Sequence, residues 1–274
     1  MEILVSADME GATGVTWSCD VEPRTAEWQR FRELFTADVN AVALGLLDGG
    51  ADAVLINEAH ASMRNLLLEQ LDDRVRLLTG RHKPLGMMQG LDTADGVAFV
   101  GYHAGAGEPG VLAHTYLANS ITGVWLDGSP ASEGHLNAAL AREFGVPVVL
   151  VTGDDRTCAD ARHYAPGART VTVKTSISRY AAICLPPART FAMQRAAAAE
   201  AAPQARRTAP TVAPHRVEIE FDATHLADAA ATVPTVELLA HRRVGYDSPS
   251  MHRAMTTFRV VSSIVGSARE GAYG

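Results

Sequence analysis

Residues 146–164 read VPVVLVTGDDRTCADARHY. The first seven are β-prone and almost wholly apolar, a short acidic turn follows, and 156–164 carries a helix pattern. A strand that does not alternate polar with apolar residues is one buried on both faces, as in a parallel sheet covered by helices. Working outward, short runs of similar character recur at 3–6, 53–57, 75–78, 97–101, 124–127 and 170–174, with helix patterns over 25–47 and 133–143 between them. The alternation predicts an α/β fold with a mainly parallel sheet flanked by helices. The stretch GVWLDGSPAS (123–132) departs from it, because Asp127-Gly128 marks a tight turn or hairpin.

The character changes after the first 190 residues. Residues 191–215 form an alanine-rich helix and a proline-punctuated connector, and helix propensity alone reads the alanine run as a surface helix. Residues 216–274 form a smaller α+β unit: VEIEF, a helix near 223–231, then VELLAHRRV, with a last helix opening at Ser248 as cap and Pro249 in its first position. The expected organisation is thus a catalytic domain at 1–190, the connector, and a C-terminal unit.

Composition narrows the function. The chain has 274 residues, 47% of them hydrophobic, and a mean hydropathy of +0.02, enough for one large domain or two modest ones. Its 24 basic residues are scattered and outnumbered by 31 acidic ones, for a net charge of −7. A nucleic-acid surface needs clustered Lys and Arg, so no nucleic-acid partner is expected. No apolar run reaches the roughly 18 residues of a membrane span. The acidic start does not read as a secretory signal, and Cys19, Cys158 and Cys184 are too widely spaced for a disulfide framework. A cytoplasmic protein is expected.

Chemistry in open α/β sheets collects where strands exit at their carboxyl ends. The first strand exits into Asp8-Met9-Glu10-Gly11, the second into Asn57-Glu58-Ala59-His60, the fourth into Tyr102-His103, and a later one into Asp154-Asp155. In extended chain Asp8 and Glu10 share a face, where two carboxylates repel unless a cation or proton separates them. An acidic turn capping a helix would use the same residues. Glu133 opens a helix pattern, where an acid also suits the helix dipole; His135 beside it reads as structural. Asp154 and Asp155 read as helix caps in preference to groups orienting a ligand, and Lys83 reads as solvated. The glycine-rich loop around His103 lacks the spacing of a phosphate cradle.

Carboxylates and imidazoles without a thiolate suit zinc, with manganese or cobalt as alternatives. Three carboxylates and two histidines exceed what one catalytic ion needs and fit two ions sharing a carboxylate. No G-x-S-x-G elbow and no catalytic-thiol signature competes, so hydrolysis by a metal-bound hydroxide is the expected mechanism.

The segments ILVSADMEGATGV, VLINEAHASMRNL, GYHAGAGEPGVLAHT, SEGHLNAALA, VPVVLVTGDDRTCADA and VKTSISRYAAICL together resemble the zinc-dependent D-aminopeptidase family, bacterial metallopeptidases associated with dipeptide-transport operons. The resemblance spans most of the first 190 residues in order; the remainder shares only the general layout. It implies an aminopeptidase with two zinc ions acting on short peptides with an N-terminal D-amino acid, assembled as a homo-oligomeric, decameric ring. It places the metal ligands on Asp8, Glu10, His60, His103 and Glu133, with Asp8 bridging, and a catalytic histidine on His114. Where related sequences read N-D-x-H, this chain has Asn57-Glu58-Ala59-His60. Residues 115–120 would line the substrate pocket. A metal-dependent amidohydrolase of another small amide would use the same ligands, and a non-catalytic oligomeric scaffold is the more distant rival.

Overall fold

The computed structural model describes residues 1–270. In chain order its elements are β1 (Glu2–Ala7), α1 (Ser18–Val21), α2 (Ala26–Asp48), β2 (Ala53–Glu58), β3 (Arg76–Leu78), β4 (Gly96–Val100), β5 (Ile121–Leu126), β6 (Ser129–Pro130), α3 (Glu133–Glu143), β7 (Val148–Asp154) and α4 (Asp155–Tyr164). There follow β8 (Arg169–Ser178), β9 (Ala181–Cys184), α5 (Pro187–Ala201), β10 (His215–Phe221), α6 (Thr224–Ala230), β11 (Glu237–Ala240), β12 (Arg243–Ser248) and α7 (Met251–Ala268), with single 3-10 turns between some of them.

The first sheet runs β3-β2-β1-β4-β7-β8-β9 and is parallel except for the antiparallel edge strand β9. Its strands are apolar on both faces because both are covered. Ile3 and Val5 of β1 pack in a core with α2 and α5, while Leu4 between them packs in a second core with α3, α6, α7 and the other sheet. Period-two alternation of Cβ directions divides one strand between the two cores. The expected α/β architecture is the one observed. No helix is long and apolar enough to cross a membrane among the described residues.

The chain leaves β1 towards β2 and β3 on one side, and β4 leads to β7 and β8 on the other. Between β1 and β4 the direction of travel reverses, and such a reversal opens a crevice at the carboxyl ends of the strands.

Three local readings differ from the sequence expectation. The second sheet, β11-β12-β10-β5-β6, is wholly antiparallel and draws β5 and β6 from before residue 190. The hairpin at Asp127-Gly128 forms, with positive φ at both turn residues, but two strands alone are marginal, and β10 completes them. The C-terminal strands therefore extend a sheet begun at residue 121; residues 271–274 of the expected C-terminal unit lie outside the described residues. The alanine run is more than a surface helix: one face is exposed and the other is buried. α5 lies against α2 with Ala198, Ala201 and its C-cap Ala202 fully buried, and a Cβ on Gly45 of α2 or on its C-cap Gly49 would sit 2.2 or 2.4 Å from carbonyl oxygens of α5. Small side chains let the two helices approach that closely. Finally, α7 is capped by Ser250, whose side chain accepts from the Arg253 N–H, and not by Ser248. Pro249 pushes the residue before it into extended backbone, so Ser248 ends β12.

Candidate metal centre

β1 ends at Ala7, and its exit is pinned against that of β4: the Asp8 N–H donates to the Val100 carbonyl at 2.8 Å and the Gly11 N–H to the Gly101 carbonyl at 2.7 Å. A Cβ on Gly11 would lie 1.9 Å from the Tyr102 carbonyl oxygen, and Gly101 has φ +69. Only glycine fits at both points. Asp8 and Glu10, both buried, are thereby brought beside the exit of β4, which carries His103.

Six side chains meet there. His60 Nδ1 lies 3.5 Å from Asp8 Oδ1 and 3.0 Å from Glu10 Oε2; His103 Nε2 lies 3.4 Å from Asp8 Oδ2 and 3.6 Å from Glu133 Oε1. His114 Nε2 lies 3.8 Å from Glu10 Oε1 and 3.9 Å from Glu133 Oε1, with its ring stacked on His103 at 4.2 Å. Donor atoms of Asp8, Glu10 and His103 fall within 4.8 Å of one another, as do those of His103, His114 and Glu133. Every residue expected as a metal ligand is in this cluster, and so is His114. Glu133 is the first residue of α3, and the Tyr116 N–H donates to its Oε1 at 2.8 Å, holding the carboxylate towards the cluster.

The far nitrogens explain what the cluster needs. His60 Nε2 lies 2.8 Å from the Val21 carbonyl, His103 Nδ1 2.9 Å from the Ala104 carbonyl and His114 Nδ1 2.8 Å from the Leu112 carbonyl. A carbonyl only accepts, so each of these nitrogens carries the hydrogen and the neutral ring turns a bare lone pair towards carboxylate oxygens. Lone pair facing lone pair is repulsive unless a cation lies between. Asp8 Oδ2 and Glu10 Oε2 are moreover buried without a hydrogen-bond partner. The donor set fits a zinc-like cation: imidazoles oriented by backbone carbonyls, carboxylates alongside, no thiolate.

Protons would meet the same demand. Burial opposes a charge on His60, but Glu10 and Asp8 outweigh it and hold its pKa well above the usual imidazole value. Burial also opposes charge on His103, yet Glu133 and Asp8 raise it to about 10. Glu133 is pushed up to about 7 by burial, against the pull of His103. Burial and the neighbouring His103 push His114 down to about 4.

Other sequence expectations resolve as follows. Asp154 caps α4 through the Thr157 N–H and also accepts from the Val111 N–H, and Asp155 accepts from the Ser176 N–H; neither joins the cluster. His135 stays in the capping box of α3 beside Ser132 and Asp160. Of residues 115–120, expected to line the pocket, Tyr116 and Leu117 do so and the other four do not. Glu58 uses its carboxylate to hold the loop carrying His60, accepting from the backbone of Asn65 and Leu66 and from the Asn65 side chain, which in turn donates to the His60 carbonyl. Cys158 is buried and pushed up to about 11, which makes it no nucleophile.

Two lysines were not legible as site residues. Lys83 is not solvated but buried, donating to Asn57 Oδ1 and the Glu58 carbonyl, and lines the cavity. Lys174 is buried under the β1 exit and donates to three carbonyls, those of Glu10 (2.6 Å), Ala12 (3.0 Å) and Val15 (2.6 Å). A lysine in a strand that is otherwise apolar on its buried face was the one available signal.

The D-aminopeptidase family model matches residues 1–260. This chain belongs to that family. Among its relatives, a D-aminopeptidase of Bacillus subtilis (strain 168) is 34% identical over 241 residues, covering 87% of this chain and 88% of the relative. The solved structure of the Zn-dependent D-aminopeptidase DppA from Bacillus subtilis, described as a self-compartmentalizing protease, superposes with a TM-score of 0.91 at 30% identity, covering 99% of both chains. As a D-aminopeptidase family member the chain is a zinc-dependent peptide hydrolase.

Proposed function

We propose that this chain removes the N-terminal residue, with preference for a D-amino acid, from short peptides or amides, using two zinc ions per chain. The observation that carries the reading is the convergence of three oriented imidazole lone pairs on Asp8, Glu10 and Glu133. Asp8 supports the two-ion count: one oxygen faces His60, the other His103. On this reading Asp8 would be shared by both ions, with Glu10 and His60 available to hold one and His103 and Glu133 the other. Three carboxylates leave a negative site with one dication and a singly positive one with two. Bound zinc supplies Lewis acidity, polarising the scissile carbonyl and making a water more acidic.

The remaining steps belong to the side chains. His114 has the longest carboxylate contacts of the three imidazoles, and its side chain is the most exposed, at 14% against 8% for His60 and 1% for His103. We assign it to proton transfer: Nδ1 is tied to the Leu112 carbonyl, which leaves the Nε2 lone pair to take a proton from the attacking water and pass it to the departing amine. The substrate's free amine, unprotonated, would be held at the zinc-loaded cluster, which suits an aminopeptidase. A homo-oligomeric ring, in keeping with the self-compartmentalizing Bacillus subtilis protein, is part of the same proposal.

The test is zinc content by elemental analysis of protein purified without chelator, beside hydrolysis of D-Ala and L-Ala p-nitroanilide. Near two zinc per chain with D-selective cleavage is expected. Two metals with neither anilide cleaved would move the substrate to another amide.

A further inference from the structure

The cavity at the metal centre has a volume of about 1030 Å³ and extends from the cluster along α7. Its charges are segregated. The acids lining it are Asp8, Glu10 and Glu133, all at the cluster, whereas Arg81, Lys83 and Arg259 line it elsewhere. Of these cations Arg81 is exposed, and the Lys83 ammonium already donates to Asn57 and Glu58. Arg259 differs from both. It is half-buried, it donates from Nη1 to the Lys83 carbonyl at 2.9 Å, and among the described residues no carboxylate pairs with it. The residue before it, Phe258, has its ring 5.0 Å from that of Tyr116, whose N–H donates to Glu133, so this stretch of α7 packs beside the catalytic end. One turn further along α7, Ser262 lines the same cavity with a buried hydroxyl that has no hydrogen-bond partner.

A half-buried guanidinium without a counter-charge is costly, and its planar fork of N–H donors matches a carboxylate. Positions i and i+3 share one helix face, so the remaining N–H donors of Arg259 and the Ser262 hydroxyl line the cavity together. We propose that Arg259, assisted by Ser262, anchors the free C-terminal carboxylate of a dipeptide or tripeptide whose amino end lies at the metal centre. The inference rests on the aminopeptidase reading and adds a length selector to it. A metal centre that takes the free amine and a cationic wall beyond it complement a short peptide with both termini free, and a long chain, whose carboxylate is far from the scissile bond, leaves Arg259 unpaired. Arg259 is thus a specificity determinant, separate from the residues that carry out the hydrolysis.

The test compares D-Ala-Gly with its C-terminal amide, D-Ala-Gly-NH2, on zinc-loaded wild-type protein and on Arg259→Met and Arg259→Lys, with thermal melts checking each fold. Wild-type kcat/KM should favour the free acid by about tenfold or more, the scale of one charge-assisted hydrogen bond. Arg259→Met should bring the ratio near one, mainly through KM, and Arg259→Lys should recover part of it. A wild-type ratio near one, or one that Arg259→Met leaves unchanged, overturns the proposal; the first needs no variant to fold. If the wild type cleaves neither peptide, the aminopeptidase reading fails separately, and calorimetric binding of the two peptides then decides. Tighter binding of the free acid that Arg259→Met abolishes supports the anchor, and equal binding of acid and amide overturns it.

Discussion

At the scale of single residues the site is decided by hydrogens. Three backbone carbonyls, of Val21, Ala104 and Leu112, select the tautomers of His60, His103 and His114, and so determine which nitrogen faces the carboxylates. In metal-free protein the neighbouring carboxylates raise the pKa values of His60 and His103 and so favour their protonated forms. A metal needs the same nitrogens bare, so zinc binding at pH 7 should release protons from both, and affinity should fall as pH falls. Titrating zinc into weakly buffered metal-free protein with a pH indicator checks this. Zinc uptake without proton release would place the metal away from His60 and His103.

At the scale of elements the decisive feature is the turn after β1. Lys174 sits beneath it, its pKa lowered by burial to about 8, so that at neutral pH the ammonium still carries its charge and satisfies the carbonyls of Glu10, Ala12 and Val15. Lys174→Met keeps the side-chain bulk but leaves those carbonyls without a donor. It should cost about 3 kcal/mol or more of stability, as orphaned buried acceptors do, and weaken zinc binding by loosening Asp8 and Glu10. Thermal melts and zinc titration measure the two effects. Unchanged zinc affinity would show that Gly11 and Gly101 hold the turn unaided.

At the scale of the whole molecule the two sheets are interdependent. β5 and β6 need β10 as a partner, and α7, from the far end of the chain, walls the cavity. Ending the chain after residue 210 should therefore abolish the cooperative melt, because the inner faces of β5 and of the first sheet would lose their cover together. Circular dichroism melts of the shortened chain test this. A cooperative transition with zinc binding retained would restore the first 190 residues as a self-sufficient domain.

What the sequence determined by itself follows from local physics. Unalternating apolar runs such as 97–101 declare a sheet covered on both faces, and Asp127-Gly128 declares a hairpin, because these signals depend on neighbours in the chain. The motifs around Asp8, His60 and His103 were legible for a similar reason, since strand exits of a parallel sheet point to one edge, whereas His114 and Glu133 received their roles from the family resemblance. Other features were settled only by tertiary structure. The alanines of α5 became a tight seam because α2 offers Gly45 and Gly49 opposite them. Lys83 and Lys174 became buried because carbonyls from distant loops surround their ammonium groups. Arg259, more than a hundred residues from any member of the cluster, reaches the cavity because α7 packs across it. Pairing between segments remote in sequence leaves no periodicity to read, and burial and charge neutralisation decide it in three dimensions.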